Sequence, residues 1–260
     1  MPDKIRSAVI TGAAQGIGEG TARRLAREDV NRFLLIDRQG EKLEAVAESL
    51  RSGGVTVETL AQDLTEISAA MAAVGAAIGA IGTVDILVNA AGTTARGGLR
   101  DTTPDTFDLI FALNVRAPFF MMQTIAPSMP SGGVIVNICS MLAYGGPPFL
   151  LAYSASKAAL GTLTRGVANT LKRDGVRAFG INLGWTWTPA EQEVQTRRHG
   201  LPEDWVQTVG ARQPFGRLLM PEDPAGLIAF LASPDAQMMT GAIIDLDQFV
   251  AGTVDDNPGA

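Results

Sequence analysis

The sequence predicts an α/β fold built on one doubly wound parallel sheet of about seven strands, with helices on both faces. Seven short apolar runs recur along the chain, and most of them end at a glycine or a polar residue. Stretches with helical spacing of apolar side chains lie between most of these runs. No linker or internal repeat interrupts the 260 residues, so we predict a single domain over residues 1–260.

The predicted strands follow from their composition and from the residues that end them. A short apolar run bounded by glycine is typical of a buried parallel strand, and alternation is typical of a strand with one buried face. In chain order, strands are predicted at residues 7–10, 33–36, 55–60 (which alternates), 84–88, 134–138, 176–183 and 242–246.

The predicted helices occupy the segments between these strands, where apolar side chains recur at helical spacing. The fourth helix is expected to open at Thr103 or Pro104, because proline is favoured in the first turn. The stretch 69–82 is the most membrane-like, but it is too short to span a bilayer and is expected to pack on the sheet. In chain order, helices are predicted at about 19–28, 41–51, 69–82, 103–129, 153–174 and 223–232.

Composition and charge exclude several classes of function. The net charge of −6 is spread along the chain without charged blocks apart from Asp255-Asp256, so we expect no nucleic-acid or membrane partner. The single cysteine, Cys139, excludes an intrachain disulfide and indicates a reducing, cytoplasmic compartment. Because His199 is the only histidine, we predict no metal site. The first residues show no signal-peptide pattern.

Polar residues or glycine follow six of the predicted strands. Each one alone could be a helix cap or a turn residue. In an open parallel sheet, however, ligands bind beyond the carboxyl ends of the strands, where the strand order reverses. Together these residues predict a binding rim at that edge, and they are Gly12, Asp37, Asp63, Asn89, Ser140 and Thr188.

The turn after the first strand has glycines at 12, 16 and 18, which would let the backbone approach a pyrophosphate and leave helix N-terminal amides free to hold it. A purely steric role for these glycines is the alternative. Asp37 follows the second strand, where a carboxylate can accept the adenosine ribose hydroxyls and would repel a 2′-phosphate. This favours NAD over NADP. Arg38 could instead attract the phosphate, stack on adenine or face water.

One helical turn carries both a phenol and an ammonium group. Tyr153 and Lys157 are four residues apart, so their side chains share a helix face, and the cation should depress the pKa of the tyrosine. A phenol tuned in this way could act as an acid or base near neutral pH. The alternative is a solvated helix surface, since this spacing is common by chance. Lysine and tyrosine are both rare in this chain, which favours a functional pair.

Taken together, these residues resemble the short-chain dehydrogenase/reductase family over nearly the whole chain. Residues 11–18 match its T-G-x-x-x-G-x-G cofactor loop, and residues 89–92 are similar to its N-N-A-G segment, with alanine for the second asparagine. Residues 182–188 are similar to its N-P-G-x-x-x-T segment, with Leu183 in place of the proline. Four residues fall where the family has its catalytic tetrad, namely Asn114, Ser140, Tyr153 and Lys157.

The resemblance implies a Rossmann-type fold, a homo-oligomer (a tetramer) and an NAD(H)-dependent oxidoreductase that acts on a small-molecule secondary alcohol or ketone. Ser140 would bind the substrate oxygen and Tyr153 would exchange the proton. Lys157 would hold the ribose and lower the tyrosine pKa, and Asn114 would position a relay water. Substrate contacts would be Ser140, Leu142, Tyr153 and Trp185. The cofactor NAD would contact Gly12, Gln15, Gly16, Ile17, Gly18, Asp37, Arg38, Asp63, Leu64, Asn89, Ala90, Ala91, Gly92, Tyr153, Lys157, Thr186 and Thr188.

Two other classes of function stay open from the residues alone. One is an NAD-binding sensor or scaffold with little turnover, and the other is a methyltransferase, which has no need of Tyr153 and Lys157. Sugars, polyols, cyclic alcohols and acyl ketones all remain open as substrates. The stretch 188–221 is polar and longer than an ordinary connection, so we predict that it is a substrate lid, less ordered without ligand.

The chain departs from the family pattern in three further places. Residues 245–249 stand where the family has D-G-G, which leaves the path of the C-terminal segment and a nearby interface open. The connection before the second strand lacks its usual glycine, and Asn31 is expected to supply the left-handed conformation instead. Cys139 replaces a common serine beside Ser140, and a buried structural thiol is the expected role.

Overall fold

The computed structural model describes residues 6–253, in which seven parallel strands form one sheet. The order across the sheet is β3-β2-β1-β4-β5-β6-β7, and it confirms the predicted doubly wound parallel architecture. The order reverses between β1 and β4, so a crevice opens at the carboxyl ends of these two strands. The strands are β1 (Arg6–Thr11), β2 (Val30–Asp37), β3 (Thr56–Ala61), β4 (Ile86–Asn89), β5 (Val134–Ile138), β6 (Arg177–Leu183) and β7 (Ile243–Leu246).

Helices cover both faces of this sheet. Helices α1, α2 and α9 bury residues such as Leu25 and Ile228 in a cluster on one face, while α3, α5 and α6 bury residues such as Val74 and Met121 on the other. Within residues 6–253 the α-helices are α1 (Gly16–Leu25), α2 (Gly40–Arg51), α3 (Ile67–Ile81), α4 (Pro104–Phe111), α5 (Ala117–Ile125), α6 (Leu151–Leu171), α7 (Pro189–Glu193), α8 (Trp205–Gly210) and α9 (Glu222–Ala232).

The central strands have apolar side chains at almost every position because each of their faces is covered. Ile10 belongs to the cluster beneath α1, whereas its neighbour Val9 belongs to the cluster beneath α3. Successive strand residues point to opposite faces of a sheet, so both must be apolar here. This double burial explains the continuous apolar runs of the sequence.

The predicted helix at 103–129 is interrupted in the middle. Thr103 caps its start by accepting a hydrogen bond of 3.2 Å from the Thr106 amide. A π-helical turn, Ala112–Arg116, then separates α4 from α5. By length and composition the run Pro104–Ser128, rather than 69–82, is apolar enough to cross a membrane. Its buried residues in α5 belong to the core of the sheet, and this packing accounts for its apolar character.

The turn into β2 corrects one predicted conformation. The left-handed residue is Asp29, with φ of 62°, whereas Asn31 already lies inside β2. Helix α1 also ends at Leu25, earlier than predicted. Because β2 begins at Val30, the chain has to turn immediately before it, and a short polar side chain such as aspartate tolerates that conformation.

The stretch 188–221 is more regular than its composition indicated. It contains α7, a π-helical turn (Val194–Arg198) and α8. Trp205 is fully buried and its Nε1 donates a hydrogen bond of 2.8 Å to Gln192 Oε1, which ties α8 to α7. Greater disorder of this stretch without ligand stays a prediction.

Candidate active site

The carboxyl ends of β1 and β4 are joined by hydrogen bonds at the point where the strand order reverses. Thr11 Oγ1 accepts hydrogen bonds of 3.1 Å from the amides of both Ala90 and Ala91. Gly12 follows with φ of +67°, and a Cβ there would lie 2.8 Å from the Ala91 nitrogen. The structure thus brings together the glycine loop and the segment 89–92, which sequence reasoning had assigned to one cofactor.

The two other glycines of the loop are required by close approaches. A Cβ on Gly18 would collide with the carbonyl oxygen of Gly12, so glycine alone lets α1 begin this near to β1. Gly16 has φ of +59°, and a Cβ there would lie 3.1 Å from Cγ2 of Thr188. Gln15 precedes α1 and makes no side-chain capping bond. The amides of the first turn are therefore available to an anion, as a pyrophosphate requires.

Asp37 is built into the wall of this loop. Its Oδ2 accepts a hydrogen bond of 3.1 Å from the Ala14 amide, and its Oδ1 accepts one of 3.0 Å from the Gln39 amide. The carboxylate is only partly exposed and keeps further lone pairs for ribose hydroxyls. The position at the end of β2 is the one that the sequence predicted.

Two cations lie near Asp37. Arg38 is exposed and close enough to Asp63 to help lower the pKa of that carboxyl, although the amide and hydroxyl of Thr65 lower it more. Lys42, which sequence reasoning missed, donates hydrogen bonds to Gln15 (3.3 Å) and Gln39 (2.9 Å). Its position in the first turn of α2, directly after β2, was the signal that could have found it.

The side chain of Asn89 faces the interior rather than the rim. Its Nδ2 donates a hydrogen bond of 2.8 Å to Asn137 Oδ1, and Asn137 Nδ2 donates one of 2.8 Å to Thr164 Oγ1. This buried chain of amides joins β4, β5 and α6. Contact of Asn89 with a cofactor therefore depends on its backbone. Leu64 is likewise buried in the core, so its predicted contact also falls to the backbone.

Ser140, Tyr153 and Lys157 converge at the carboxyl end of β5. Ser140 is buried, lies two residues after the end of β5, and its Oγ accepts a hydrogen bond of 3.2 Å from the Leu142 amide. Lys157 is also buried, and its Nζ donates a hydrogen bond of 2.7 Å to the carbonyl of Ile138. That nitrogen lies 5.8 Å from the centroid of the Tyr153 ring. The predicted helical pair is therefore not a solvated surface.

The pKa of Tyr153 is opposite to the expected one. The pKa of Tyr153 is raised to about 12: burial contributes most, hydrogen bonding with Ser140 partly offsets it, and repulsion from Cys139 and Glu191 adds to the rise. Burial also lowers the pKa of Lys157. The expected depression of the tyrosine pKa by Lys157 is wrong for the protein without cofactor. Loss of hydration destabilises the phenolate more than the neighbouring groups stabilise it.

Asn114 is completely buried in the π-helical turn and binds three groups. Its Oδ1 accepts from the Thr93 amide (2.9 Å), while its Nδ2 donates to the Thr93 carbonyl (3.0 Å) and to Ser156 Oγ (3.0 Å). Gly92 leaves a gap beside it. A Cβ on that glycine would lie 3.2 Å from Asn114 Oδ1 and 3.6 Å from Lys157 Nζ. A bare Cα thus keeps the space between amide and ammonium open.

The predicted substrate side is formed by the turn after Ser140 and by the start of the lid. Leu142 is partly exposed in a 3-10 turn, Met141–Tyr144, and Trp185 is 41% exposed. The Trp185 ring stacks on that of Trp205 at 5.6 Å between centroids. Sequence reasoning missed Trp205, because a tryptophan in a polar stretch gives no local sign of which partner it covers.

Comparison with known proteins identifies the family. A family model described as enoyl-(acyl carrier protein) reductase matches residues 12–248. The cis-4-hydroxycyclohexanecarboxylate dehydrogenase of Sinomonas cyclohexanicum is 34% identical over 251 residues, which are 93% of this chain and 95% of that protein. The chain belongs to the short-chain dehydrogenase/reductase family.

Other short-chain dehydrogenases/reductases are similar to a comparable degree. Gluconate 5-dehydrogenase of Gluconobacter oxydans is 32% identical over 242 residues, with 92% of each protein covered. The structure of L-sorbose reductase from Gluconobacter frateurii, complexed with NADPH and L-sorbose, superposes with a TM-score of 0.88 at 28% identity and covers 97% of this chain and 98% of that one. As a member of this family, the chain is an oxidoreductase.

This short-chain dehydrogenase/reductase accommodates its unusual C-terminal segment by side-chain bonds. A Cβ on Gly184 would collide with the carboxylate of Asp247, so the segment after β7 packs directly on the end of β6. Gln248 then accepts a hydrogen bond from the Phe215 amide (2.7 Å) and donates one to the Arg217 carbonyl (2.6 Å). The residues that replace D-G-G thus attach the C-terminal segment to the end of the lid.

Proposed function

We propose that the protein transfers a hydride between NAD(H) and a secondary alcohol or ketone, with Tyr153 as general acid/base. The observation that supports this best is the convergence of Ser140, Tyr153 and Lys157 beside the crevice where the glycine loop lies. A proton-exchanging hydroxyl and a second hydroxyl to bind the substrate oxygen are what carbonyl reduction and alcohol oxidation require of the protein.

The crevice fits a dinucleotide. The uncapped first turn of α1 would hold the pyrophosphate, Asp37 the adenosine ribose, and Lys157 the nicotinamide ribose. When bound, the nicotinamide ring supplies or accepts the hydride, which no side chain can do. The remaining contacts proposed here are Gln15, Ile17, Arg38, Asp63, Leu64, Asn89, Ala90, Ala91, Gly92, Thr186 and Thr188.

The proton is handled by the protein. In reduction the Tyr153 hydroxyl donates its proton to the substrate oxygen, and in oxidation the phenolate takes it back. Ser140 holds the same substrate oxygen by hydrogen bonding. The gap kept open by Gly92 between Asn114 and Lys157 is where a relay water would connect the ammonium to solvent.

The preference for NAD over NADP is supported by the carboxylate of Asp37 and opposed by Arg38 and Lys42. Asp37→Ala should reduce the preference for NAD, mainly by weakening the binding of NAD. Lys42→Ala should weaken the binding of NADP only. The measurement is kcat/KM for both cofactors with one alcohol. A wild type that prefers NADP would show that the two cations outweigh the carboxylate.

The reaction class is tested by a panel of sugars, polyols, cyclic alcohols and their ketones with NAD(H). We expect NADH formation with at least one secondary alcohol and its loss in Tyr153→Phe. Tight NADH binding together with no turnover of any panel member would instead favour a cofactor-binding protein.

The stretch 188–221 is proposed as the substrate lid. Thr188 packs on Gly16 of the cofactor loop, and Trp185, which follows β6, bonds to Glu191 of α7. A ligand bound at the carboxyl ends of the strands would therefore contact the start of this stretch. Hydrogen exchange in this stretch should slow when cofactor and substrate are both present. Equal exchange with and without them would contradict a lid.

A homo-oligomer, a tetramer, in the cytoplasm is also proposed. Exposed apolar side chains on α4, α5 and α6 support an interface there, since Phe107, Leu109, Phe119 and Leu151 are each more than a third exposed. The buried thiol of Cys139 fits a reducing compartment. Sedimentation that shows a monomer at micromolar concentration would reject the oligomer.

A further inference from the structure

The first turn of the lid carries a carboxylate that its local sequence pattern does not explain. Thr188 and Glu191 have the spacing of a capping box, in which the glutamate side chain returns to the amide of the capping residue. The threonine half is made, since Thr188 Oγ1 accepts a hydrogen bond of 3.1 Å from the Glu191 amide. The Glu191 carboxylate instead accepts hydrogen bonds from Trp185 Nε1 (2.9 Å) and Gln195 Nε2 (2.7 Å).

Both of these donors are themselves fixed. Trp185 stacks on the buried ring of Trp205, which Gln192 holds by a hydrogen bond of 2.8 Å. Gln195 is 8% exposed and lies in the π-helical turn that continues α7. A side chain whose donors are locked by packing keeps one position, so the carboxylate of Glu191 is preorganised.

This carboxylate lies at the same edge of the sheet as the reacting groups, because its donor Trp185 follows β6, which pairs with the strand β5 that leads to Ser140. Its turn is anchored over the cofactor loop, because Thr188 Cγ2 lies 3.1 Å from the position of a Cβ on Gly16. Its charge acts on Tyr153, whose pKa it helps to raise. Trp185, the residue that holds it, is 41% exposed.

The negative charge of Glu191 is not neutralised within the described chain. Both of its donors are uncharged and both bond to Oε1, so Oε2 accepts no hydrogen bond from residues 6–253. Among the same residues Glu191 forms no salt bridge, and the nearby Arg197 pairs with Glu193 at 2.8 Å. The Oε2 atom of Glu191 is therefore left as an acceptor for a ligand.

We propose that Glu191 and the exposed face of Trp185 select neutral substrates with a second hydroxyl near the reacting carbon, namely polyols and hydroxyketones. This inference rests on the proposed alcohol/ketone function. A hydroxyl of the substrate would donate a charge-assisted hydrogen bond to Oε2 of Glu191. The C–H groups of the substrate would lie on the indole face of Trp185. A carboxylate or sulfonate at that point would be repelled, since charges act strongly in a site shielded from water.

Similarity to known proteins leaves the choice between neutral and anionic substrates open. One relative is named for gluconate, an anion, and one structure contains L-sorbose, a neutral ketose. The charge at position 191 is the feature of this chain that separates the two classes.

The test compares kcat/KM for D-sorbitol, D-gluconate and cyclohexanol with NAD. The wild type should prefer sorbitol to gluconate. Glu191→Gln should reduce that ratio by about tenfold or more, which is the size of one lost charge-assisted hydrogen bond. Cyclohexanol, which lacks a second hydroxyl, should change least. Glu191→Asp keeps the charge, so gluconate should stay a poor substrate even where sorbitol turnover falls.

The matched control is Glu193→Gln, two residues away on the exposed side of α7, where loss of the pair with Arg197 should leave the ratio unchanged. An unchanged ratio in a folded Glu191→Gln variant overturns the inference. A wild type that oxidises cyclohexanol but prefers gluconate to sorbitol also overturns it, and leaves the proposed function standing. A wild type that binds NADH and oxidises no alcohol at all overturns both.

Discussion

The side chain of Asn114 donates a hydrogen bond of 3.0 Å to the hydroxyl of Ser156, and that hydroxyl donates one of 2.6 Å to the backbone carbonyl of Tyr153. The π-helical turn between α4 and α5 is thereby bonded to the turn of α6 that carries the phenol. Because Asn114 also bonds the backbone of Thr93 twice, one amide holds three segments of the site in register. This positioning function exists whether or not a relay water is bound.

Asn114→Ala should therefore lower both the stability of the protein and its turnover rate. Buried groups on Thr93 and Ser156 would lose their partner, so we expect the free energy of unfolding to fall by about 1–3 kcal/mol. Turnover should fall more than NADH affinity, because the hydrogen bonds of Asn114 go to Thr93 and Ser156 and not to the glycine loop at residues 12–18. Ser156→Ala removes only the link to Tyr153 and should reproduce part of the turnover loss with a smaller loss of stability. Denaturant unfolding and kcat of both variants check this; wild-type values in Asn114→Ala would contradict it.

Tyr153→Phe should separate binding from chemistry. The ring keeps its packing and loses only the oxygen that exchanges the proton, so NADH should still bind while turnover falls by ~10²-fold or more. Fluorescence titration with NADH and steady-state kinetics provide the two readouts. Near wild-type turnover of the variant on its best substrate would exclude Tyr153 as the acid/base.

Lys157 should fail in a different way. Lys157→Ala removes the ammonium that bonds the Ile138 carbonyl and would hold the ribose, so both NADH affinity and turnover should decrease. Lys157→Arg restores a charge but not a compact one, and a planar guanidinium does not fit the same buried position. We expect little recovery from it. An alanine variant with wild-type NADH affinity would remove Lys157 from the cofactor site.

The pH dependence follows from the raised pKa of Tyr153, which is about 12 in the protein without cofactor. A phenol with a raised pKa is protonated at neutral pH, so it is ready to donate in reduction, whereas oxidation needs the phenolate and should accelerate as pH rises. Ser140 lowers this pKa and Glu191 raises it. Ser140→Ala should therefore move the rise in oxidation to higher pH and Glu191→Gln to lower pH. Profiles of kcat/KM against pH measure both shifts, and shifts in the same direction would refute the assignment.

Alanine substitutions at Gly18 and Gly75 should have opposite effects on the stability of the protein. Gly18→Ala places a methyl group against the Gly12 carbonyl, and neither backbone can move without opening the cofactor loop, so stability and NADH binding should both fall. Gly75 lies in α3 with open space around the position of its Cβ. Gly75→Ala should therefore stabilise the protein by about 0.5–1 kcal/mol and leave binding unchanged. Thermal unfolding and NADH titration of the two variants measure these changes in stability and in NADH affinity.

Much of the rim could be predicted from the sequence because its signals are local. The glycines at 12, 16 and 18 predict a close approach of the backbone at one turn. In the structure a Cβ at each of these positions would make a close contact. The shared helix face of Tyr153 and Lys157 follows from their spacing, whereas the full tetrad with Asn114 and Ser140 is implied only by the resemblance to the family. The assignment of the left-handed turn to Asn31 was wrong because Asp29 and Asn31 are equally able to adopt it, and only the start of β2 distinguishes them.

The sequence by itself determined the parallel sheet, the close backbone approach at the glycine loop and the shared helix face of Tyr153 and Lys157, because apolar runs, glycine spacing and helical periodicity are properties of neighbouring residues. Only the tertiary structure decided the direction of the Tyr153 pKa, the inward turn of Asn89 and the placement of Glu191. Burial and hydrogen bonding depend on residues that are distant in the chain, as with Asn89 and Asn137, which are 48 positions apart. Solvent exclusion at Tyr153 is the sum of many such contacts, and no pattern within one helix contains it.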